Sequence, residues 1–134
     1  MVFTVGQTVR ELRQFTQADF DEFARLSGDD NPIHVDSAFA AGTRFGQTVA
    51  HGMLLYGTIC GLLSSRFPGA TQLEQSLMFP APTFAGESIT ITAEVTAVMN
   101  EQRQASITIT MTNSEGRHTC EGETLMAWGT REAG

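Results

Sequence analysis

Residues 51–67, HGMLLYGTICGLLSSRF, are apolar around nearly the whole circumference of a helical projection. A helix of that kind has to be buried on most sides. Beyond residue 70 the period changes to two and stays there. ESITITAEVTAV (87–98) alternates Ile89, Ile91, Ala93, Val95 and Ala97 with Ser88, Thr90, Thr92, Glu94 and Thr96, and QASITITMTN (104–113) follows the same rule. Such alternation marks strands with one apolar face. Further strands are predicted over 71–79 and 117–129, with hairpin connections at NE (100–101) and NSEG (113–116). One long buried helix and four to five antiparallel strands describe an α+β chain in which a curved sheet wraps the helix. Gly57 and Gly61 lie four apart on that helix. Each glycine costs about 1 kcal/mol against alanine, so close approach by another backbone is expected there.

The N-terminal third is a helical excursion ahead of this helix. A short strand is predicted within 5–15. Thr16 then caps a helix with Phe20, Phe23, Ala24 and Leu26 on its apolar face and Gly28 as its stop. A loop follows, because Pro32 forces residue 31 out of the α region. Residues 36–41 form a helical turn capped by Asp36 or Ser37, and Gly42 and Gly46 bracket another loop. No linker or repeat divides the chain, so residues 1–134 are expected to form a single domain. A single sheet around a single helix leaves a long edge and a limited core. A homodimer is the expected remedy.

Charge narrows the possible partners. The net charge is −7, and all eight basic residues are arginines. That excludes a Schiff-base lysine, a phosphate-binding lysine and a polybasic membrane patch. Nucleic acid is a poor partner, since its binding rests on phosphate neutralisation. Local arginines or backbone amides can still receive a small anionic ligand. Cys60 and Cys120 are too few for a disulfide scaffold, and His34, His51 and His118 are scattered without metal-ligand spacing, so no metal is expected. The longest weakly polar run, Ala50 to Leu63, falls short of the ~20 residues of a membrane span. A soluble, cytoplasmic protein is expected.

The polar residues concentrate in LSGDDNPIHVD (26–36). Asp29 and His34 flank an Asn31-Pro32 turn. They either diverge as a hydrated corner or converge to hold a water and move its protons. Asn31 supplies an amide able to orient a neighbour. AHGM (50–53) opens the buried helix, and the Gly52 N–H there has no side chain to obstruct it, which suits a developing negative charge on a carbonyl oxygen. His51 reads as a capping or buried, hydrogen-bonded residue. From Gly52, past Met53, steps of about one turn reach Tyr56, Cys60 and Leu63, a stripe that serves equally as tunnel lining or as core.

LSGDDNPIH resembles the S-G-D-x-N-P-L-H motif of the MaoC-like (R)-specific enoyl-CoA hydratases. The resemblance continues through VDSAFAAGTRFGQTVAHGMLLYG and into SLMFPAPTFAGESI, with Ile33, Ser37 and Glu87 as departures. It implies a hot-dog fold and a dimer with active sites near the subunit interface. It also implies reversible syn hydration of trans-2-enoyl-CoA to (R)-3-hydroxyacyl-CoA. On that pattern Asp29 and His34 activate the water, Asn31 fixes their arrangement, and the Gly52 amide polarises the thioester carbonyl. Asp30 occupies the variable position. His51, Met53, Tyr56, Cys60 and Leu63 would meet the substrate. The CoA thioester is substrate, and no cofactor is implied. Two other readings keep the same fold: a 3-hydroxyacyl dehydratase acting on acyl carrier protein, and a non-catalytic acyl-thioester-binding protein.

Overall fold

The computed structural model describes residues 3–129, so the domain expected over 1–134 extends past them at both ends. Nine elements follow in order: β1 (Thr8–Gln14), α1 (Gln17–Ser27), α2 (Pro32–Val35), α3 (Ser37–Ala41), α4 (Gly52–Arg66), β2 (Thr71–Met78), β3 (Ser88–Met99), β4 (Gln104–Thr112) and β5 (His118–Ala127). The strands make one antiparallel sheet in the order β1-β3-β4-β5-β2.

The alternation read from the sequence is the two-faced sheet itself. Ile91 pairs with Met111, Ala93 with Ile109 and Val95 with Ile107, all buried, while Thr90–Thr112, Thr92–Thr110 and Glu94–Thr108 pair on the opposite face. Against the inner face lies α4, whose Leu55, Ile59, Leu62 and Leu63 join these strand residues in one core. Each such side chain contributes roughly 1.5–3 kcal/mol of burial. Phe67 ends the helix and stacks on Phe3 at 5.0 Å, closing the core beneath Trp128.

Several expectations need correction. The strands predicted from 71 onward do not pair simply in chain order: β3-β4-β5 form a meander, but β2 pairs with β5 at one edge and β1 with β3 at the other. The helix α4 is what carries the chain across the sheet between those edges. The β3–β4 connection spans residues 100–103 rather than 100–101, because Arg103 takes a left-handed conformation (φ 57°). Leu26 is 69% exposed, so the buried stripe of α1 is Phe20 and Ala24. No described residue lies within 4 Å of where a Cβ would stand on Gly57 or Gly61. These glycines, with Met53, form the stripe of α4 that faces away from the sheet.

Glycine is required on β5. A Cβ on Gly122 would run into the Ser76 carbonyl oxygen of β2, which is backbone and cannot swing aside. Gly122→Ala is therefore expected to lose roughly 1–3 kcal/mol, read as a lower urea midpoint. An unchanged midpoint would show that β2 does not press on β5 as described.

Candidate active site

The acidic motif is built from helix caps placed end to end. Thr16 and Asp19 form a capping box, with Asp19 N–H donating to Thr16 Oγ1 (3.2 Å) and Thr16 N–H to Asp19 Oδ2 (2.8 Å). At the other end of α1, Gly28 adopts φ 82°, a left-handed cap that L side chains resist. Asp29 follows, its N–H donating to Ser27 Oγ (3.1 Å). The segment expected as loop contains a helical turn, α2, because Pro32 sits at its first position, where no N–H is needed. Asn31 caps that turn through Oδ1, which accepts from Ile33 N–H (3.1 Å), and Asp36 caps α3 through Phe39 N–H (3.1 Å).

Asp29 and His34 converge. Asp29 Oδ2 lies 3.9 Å from His34 Nε2, with the carboxylate side chain 56% exposed and the imidazole 14% exposed. That separation exceeds a direct hydrogen bond, yet a water oxygen can sit at hydrogen-bond distance, about 2.8 Å, from both. The imidazole is aimed by its other nitrogen: His34 Nδ1 is 2.8 Å from the Val49 carbonyl oxygen. A carbonyl only accepts, so Nδ1 carries the proton and Nε2 of the neutral ring presents a lone pair towards Asp29. The Asn31 backbone N–H is 3.5 Å from Asp29 Oδ1. Asn31 thus acts on the pair through the cap and this amide. Asp30 is exposed, and its N–H donates to the Gly28 carbonyl (3.1 Å).

Gly52 is the first residue of α4. Its N–H is among the first-turn amides with no intrahelical acceptor, and the preceding His51 gives no side-chain cap. A Cβ here would stand 2.8 Å from Phe79 Cε2 and Cζ, so only glycine lets the Phe79 ring lie over the helix start. Beside it opens a cavity of about 260 Å³, walled by Val49, Ala50, Leu55 and Phe79–Thr83 with Arg44 and Thr119.

The remaining candidates scatter. His51 is buried; its Nε2 is 2.9 Å from the Asp29 carbonyl oxygen, and its ring stacks on His34 with centroids 3.7 Å apart. Met53 is 53% exposed. Tyr56 is half-buried and donates from its hydroxyl to Gln72 Oε1 (3.0 Å), and Cys60 lies close enough to the phenol to push its pKa up. Leu63 is fully buried among core residues. None of Tyr56, Cys60 or Leu63 walls the cavity beside Gly52.

Sequence reading missed three supports: Gln17, Val49 and Thr83. Gln17 accepts from Thr48 Oγ1 (2.6 Å) and donates to the His34 carbonyl (2.9 Å), tying α1 to the motif. Val49 N–H donates to the Ile33 carbonyl (3.1 Å), and Ala50 N–H to the Thr83 carbonyl (2.9 Å). The last two are backbone contacts and those of Gln17 come from its side chain; all join distant segments, and no residue type announces them. Donor atoms of Asp29, His34 and His51 also lie within 4.8 Å of one another.

A family model described as "MaoC like domain" matches residues 3–117. The chain belongs to the MaoC-like family. Over 124 residues it is 40% identical to an (R)-specific enoyl-CoA hydratase of Aeromonas caviae, covering 91% of this chain and 92% of that one. It is 37% identical over 108 residues to a 3-hydroxybutyryl-CoA dehydratase of Methylorubrum extorquens, covering 79% and 69%. The solved structure of an (R)-hydratase from A. caviae superposes with a TM-score of 0.90 at 38% identity, covering 94% of this chain and 97% of that one. The sheet and helix of this MaoC-like chain are a hot-dog fold, and its relatives are hydro-lyases.

Burial holds the His51 pKa below its ordinary value, with the neighbouring His34 adding to the depression and the Asp29 carbonyl opposing it. Below about pH 6.5 the unfolded chain therefore takes up a proton that the folded chain refuses. Stability present above that pH is lost as the pH falls towards the depressed folded value. Urea midpoints at about pH 7.5 and 5.5 should separate further for the wild type than for His51→Gln. Equal separations would mean that His51 titrates freely.

Proposed function

We propose that this chain, working as a single domain in each subunit of a homodimer, is an (R)-specific enoyl-CoA hydratase. It catalyses reversible syn hydration of trans-2-enoyl-CoA to (R)-3-hydroxyacyl-CoA. The observation that carries the reading is the Asp29–His34 pair, 3.9 Å apart, a separation that one water can bridge, close to the free amide end of α4. The hydratase of A. caviae, matched over nearly the whole length of both chains, supports the same chemistry.

The steps follow from the geometry. The pair takes a proton from the water as its oxygen bonds to the β-carbon. The Cα–Cβ π electrons shift towards the thioester carbonyl, whose oxygen gains negative charge and is received by the Gly52 N–H at the positive end of the helix. The pair then returns a proton to the α-carbon on the face from which the water came, and H and OH have been added on one side. Asn31 keeps Asp29 in place. Proton transfer and addition of water need no redox or carbanion-stabilising group, so no cofactor is required; the CoA thioester is substrate. Because Tyr56, Cys60 and Leu63 lie off the cavity, the acyl chain is proposed to enter it beside Gly52, between Val49, Leu55 and Phe79, with His51 behind the reacting carbons. Two free thiols, Cys60 and Cys120, suit the reducing cytoplasm as its place of work.

Turnover is best tested by loss of the enoyl-thioester absorbance across acyl lengths, with the configuration of the product determined. Crotonyl-CoA is expected to give the (R)-alcohol, and Asp29→Ala and His34→Ala to lose roughly 10²- to 10⁴-fold in kcat while remaining folded. An (S)-product, or normal turnover in either variant, would overturn the reading.

The homodimer is supported by what one chain leaves uncovered. Among the described residues, the outer edge of β2 has no strand beside it. Near it Leu73, Met78 and Phe79 are 49%, 60% and 41% exposed, and the Met53–Gly57–Gly61 stripe of α4 is open. Light scattering at micromolar concentration should return the mass of two chains; the mass of one would reject the dimer.

A further inference from the structure

His51 is a buried polar side chain that the proposed chemistry leaves almost unused. It is only 2% exposed, and its Nδ1 has no hydrogen-bond partner among the described residues. It also stands at the N-cap of α4, the position from which a side chain normally caps the helix, and it makes no cap bond. Both facts cost stability: a buried unpaired acceptor costs on the order of 1–3 kcal/mol, and a missing cap about 1 kcal/mol. Asparagine or serine here would satisfy the helix better.

What the ring does instead lies entirely within the reacting pair. Its Nε2 reaches the Asp29 carbonyl oxygen at 2.9 Å, and its face stacks on His34 at 3.7 Å and 22°. Its other side meets Phe23 of α1 at 4.8 Å. The next residue in the chain is Gly52. One imidazole therefore contacts the backbone of the carboxylate residue and the plane of the catalytic base, and precedes the amide that receives the carbonyl oxygen.

We propose that His51 is a positioning residue for the hydration: through Nε2–H it fixes Asp29, and through its ring face it fixes the plane of His34. This rests on the hydratase reading above. The Asp29 carbonyl requires a donor, so the single proton of the neutral ring stands on Nε2 and the lone pair on Nδ1. The titratable groups that face His51 are Asp29 and His34, and from α1 it meets the ring of Phe23. A second proton would put a charge in a buried ring stacked on His34 and at the positive end of α4, which is why the neutral form persists. Free rotation of His34 would swing its Nε2 off the water, and a displacement of about 1 Å at a reacting centre costs about 10²-fold.

Asparagine and glutamine separate positioning from folding. Asparagine places its amide where His51 has Nδ1 and can cap α4, while glutamine reaches the place of Nε2 and can still donate to the Asp29 carbonyl. His51→Asn is expected to melt at or above the wild-type temperature, yet to lose about 10- to 100-fold in kcat with KM changed less than about threefold. His51→Gln should recover most of that loss. Asparagine turning over as fast as wild type, or glutamine falling as far as asparagine, would overturn the assignment. Long-range ¹H–¹⁵N spectra of the ring nitrogens need no substrate, so they judge His51 even if the hydratase reading fails. Nε2–H for His51 and Nδ1–H for His34 are expected in the wild type; in His51→Asn the unstacked His34 ring is expected to turn off the Val49 carbonyl and show mixed tautomers. An unchanged His34 spectrum in that variant would refute the role of the stack.

Discussion

Everything in this molecule hangs on the burial of α4 against the inner face of the sheet. Leu55, Ile59, Leu62 and Leu63 share one core with Ile89, Ile91, Val95, Ile107, Ile109 and Met111. That packing pins the helix along its length, and so it pins the helix's N-terminus. The free amide of Gly52 and the ring of His51 are positioned by apolar contacts one to three turns away from them. The excursion α1–α3 is then fastened to this fixed end by the Val49–Ile33 hydrogen bond and by His51 against the Asp29 carbonyl, while the Val49–Phe84 bridge and the Ala50–Thr83 hydrogen bond hold residues 49 and 50 to the β2–β3 connection. The hydrophobic effect supplies the stability, and a few backbone hydrogen bonds supply the register.

Those backbone hydrogen bonds also decide the chemistry. Each imidazole at the site points one nitrogen at a main-chain carbonyl, His34 at Val49 and His51 at Asp29. Because a carbonyl offers no proton, both tautomers are set without any charged partner. The two rings share one stack yet play different parts: His34 turns its free nitrogen to the gap beside Asp29, and His51 keeps its free nitrogen buried. The neighbouring aspartates divide in the same manner. Asp29 is held by Ser27 Oγ and faces the imidazole, whereas Asp30 follows the turn into solvent.

The parts of this arrangement that were legible in the sequence are those with local causes. Thr16 and Gly28 announced their caps, Asp36 or Ser37 that of the next turn, and the alternation of 87–98 and 104–113 announced a two-faced sheet. The motif announced its residues because their types and spacing together are specific. What stayed hidden depends on segments far apart in the chain. Strand order could not be read, since nothing in residues 71–78 says that they pair with β5 rather than β3. The stripe Gly52, Tyr56, Cys60, Leu63 was read as one surface, but one helix face passes under several neighbours. Leu63 ends in the core, Tyr56 against Gln72, and the cavity opens on another side. Gln17 was invisible for the same reason: a glutamine becomes a cross-link only once its partners are known.

The glycines of α4 show how far a single chain accounts for its own sequence. Gly52 is explained within the chain, because the Phe79 ring occupies the space a Cβ would need. Gly57 and Gly61 are not; each faces open space and gives up helix propensity with nothing nearby to offset it. Met53 continues that stripe, 53% exposed, and the unpaired edge of β2 carries its own exposed Leu73 and Met78. A soluble protein tolerates single exposed apolar residues, but a bare stripe of the core helix next to a bare sheet edge is a surface with a requirement. A second backbone approaching α4 closely would meet both costs together. In that arrangement the partner would also stand close to Gly52, so the residues that complete the dimer and those that enclose the substrate would belong to one surface.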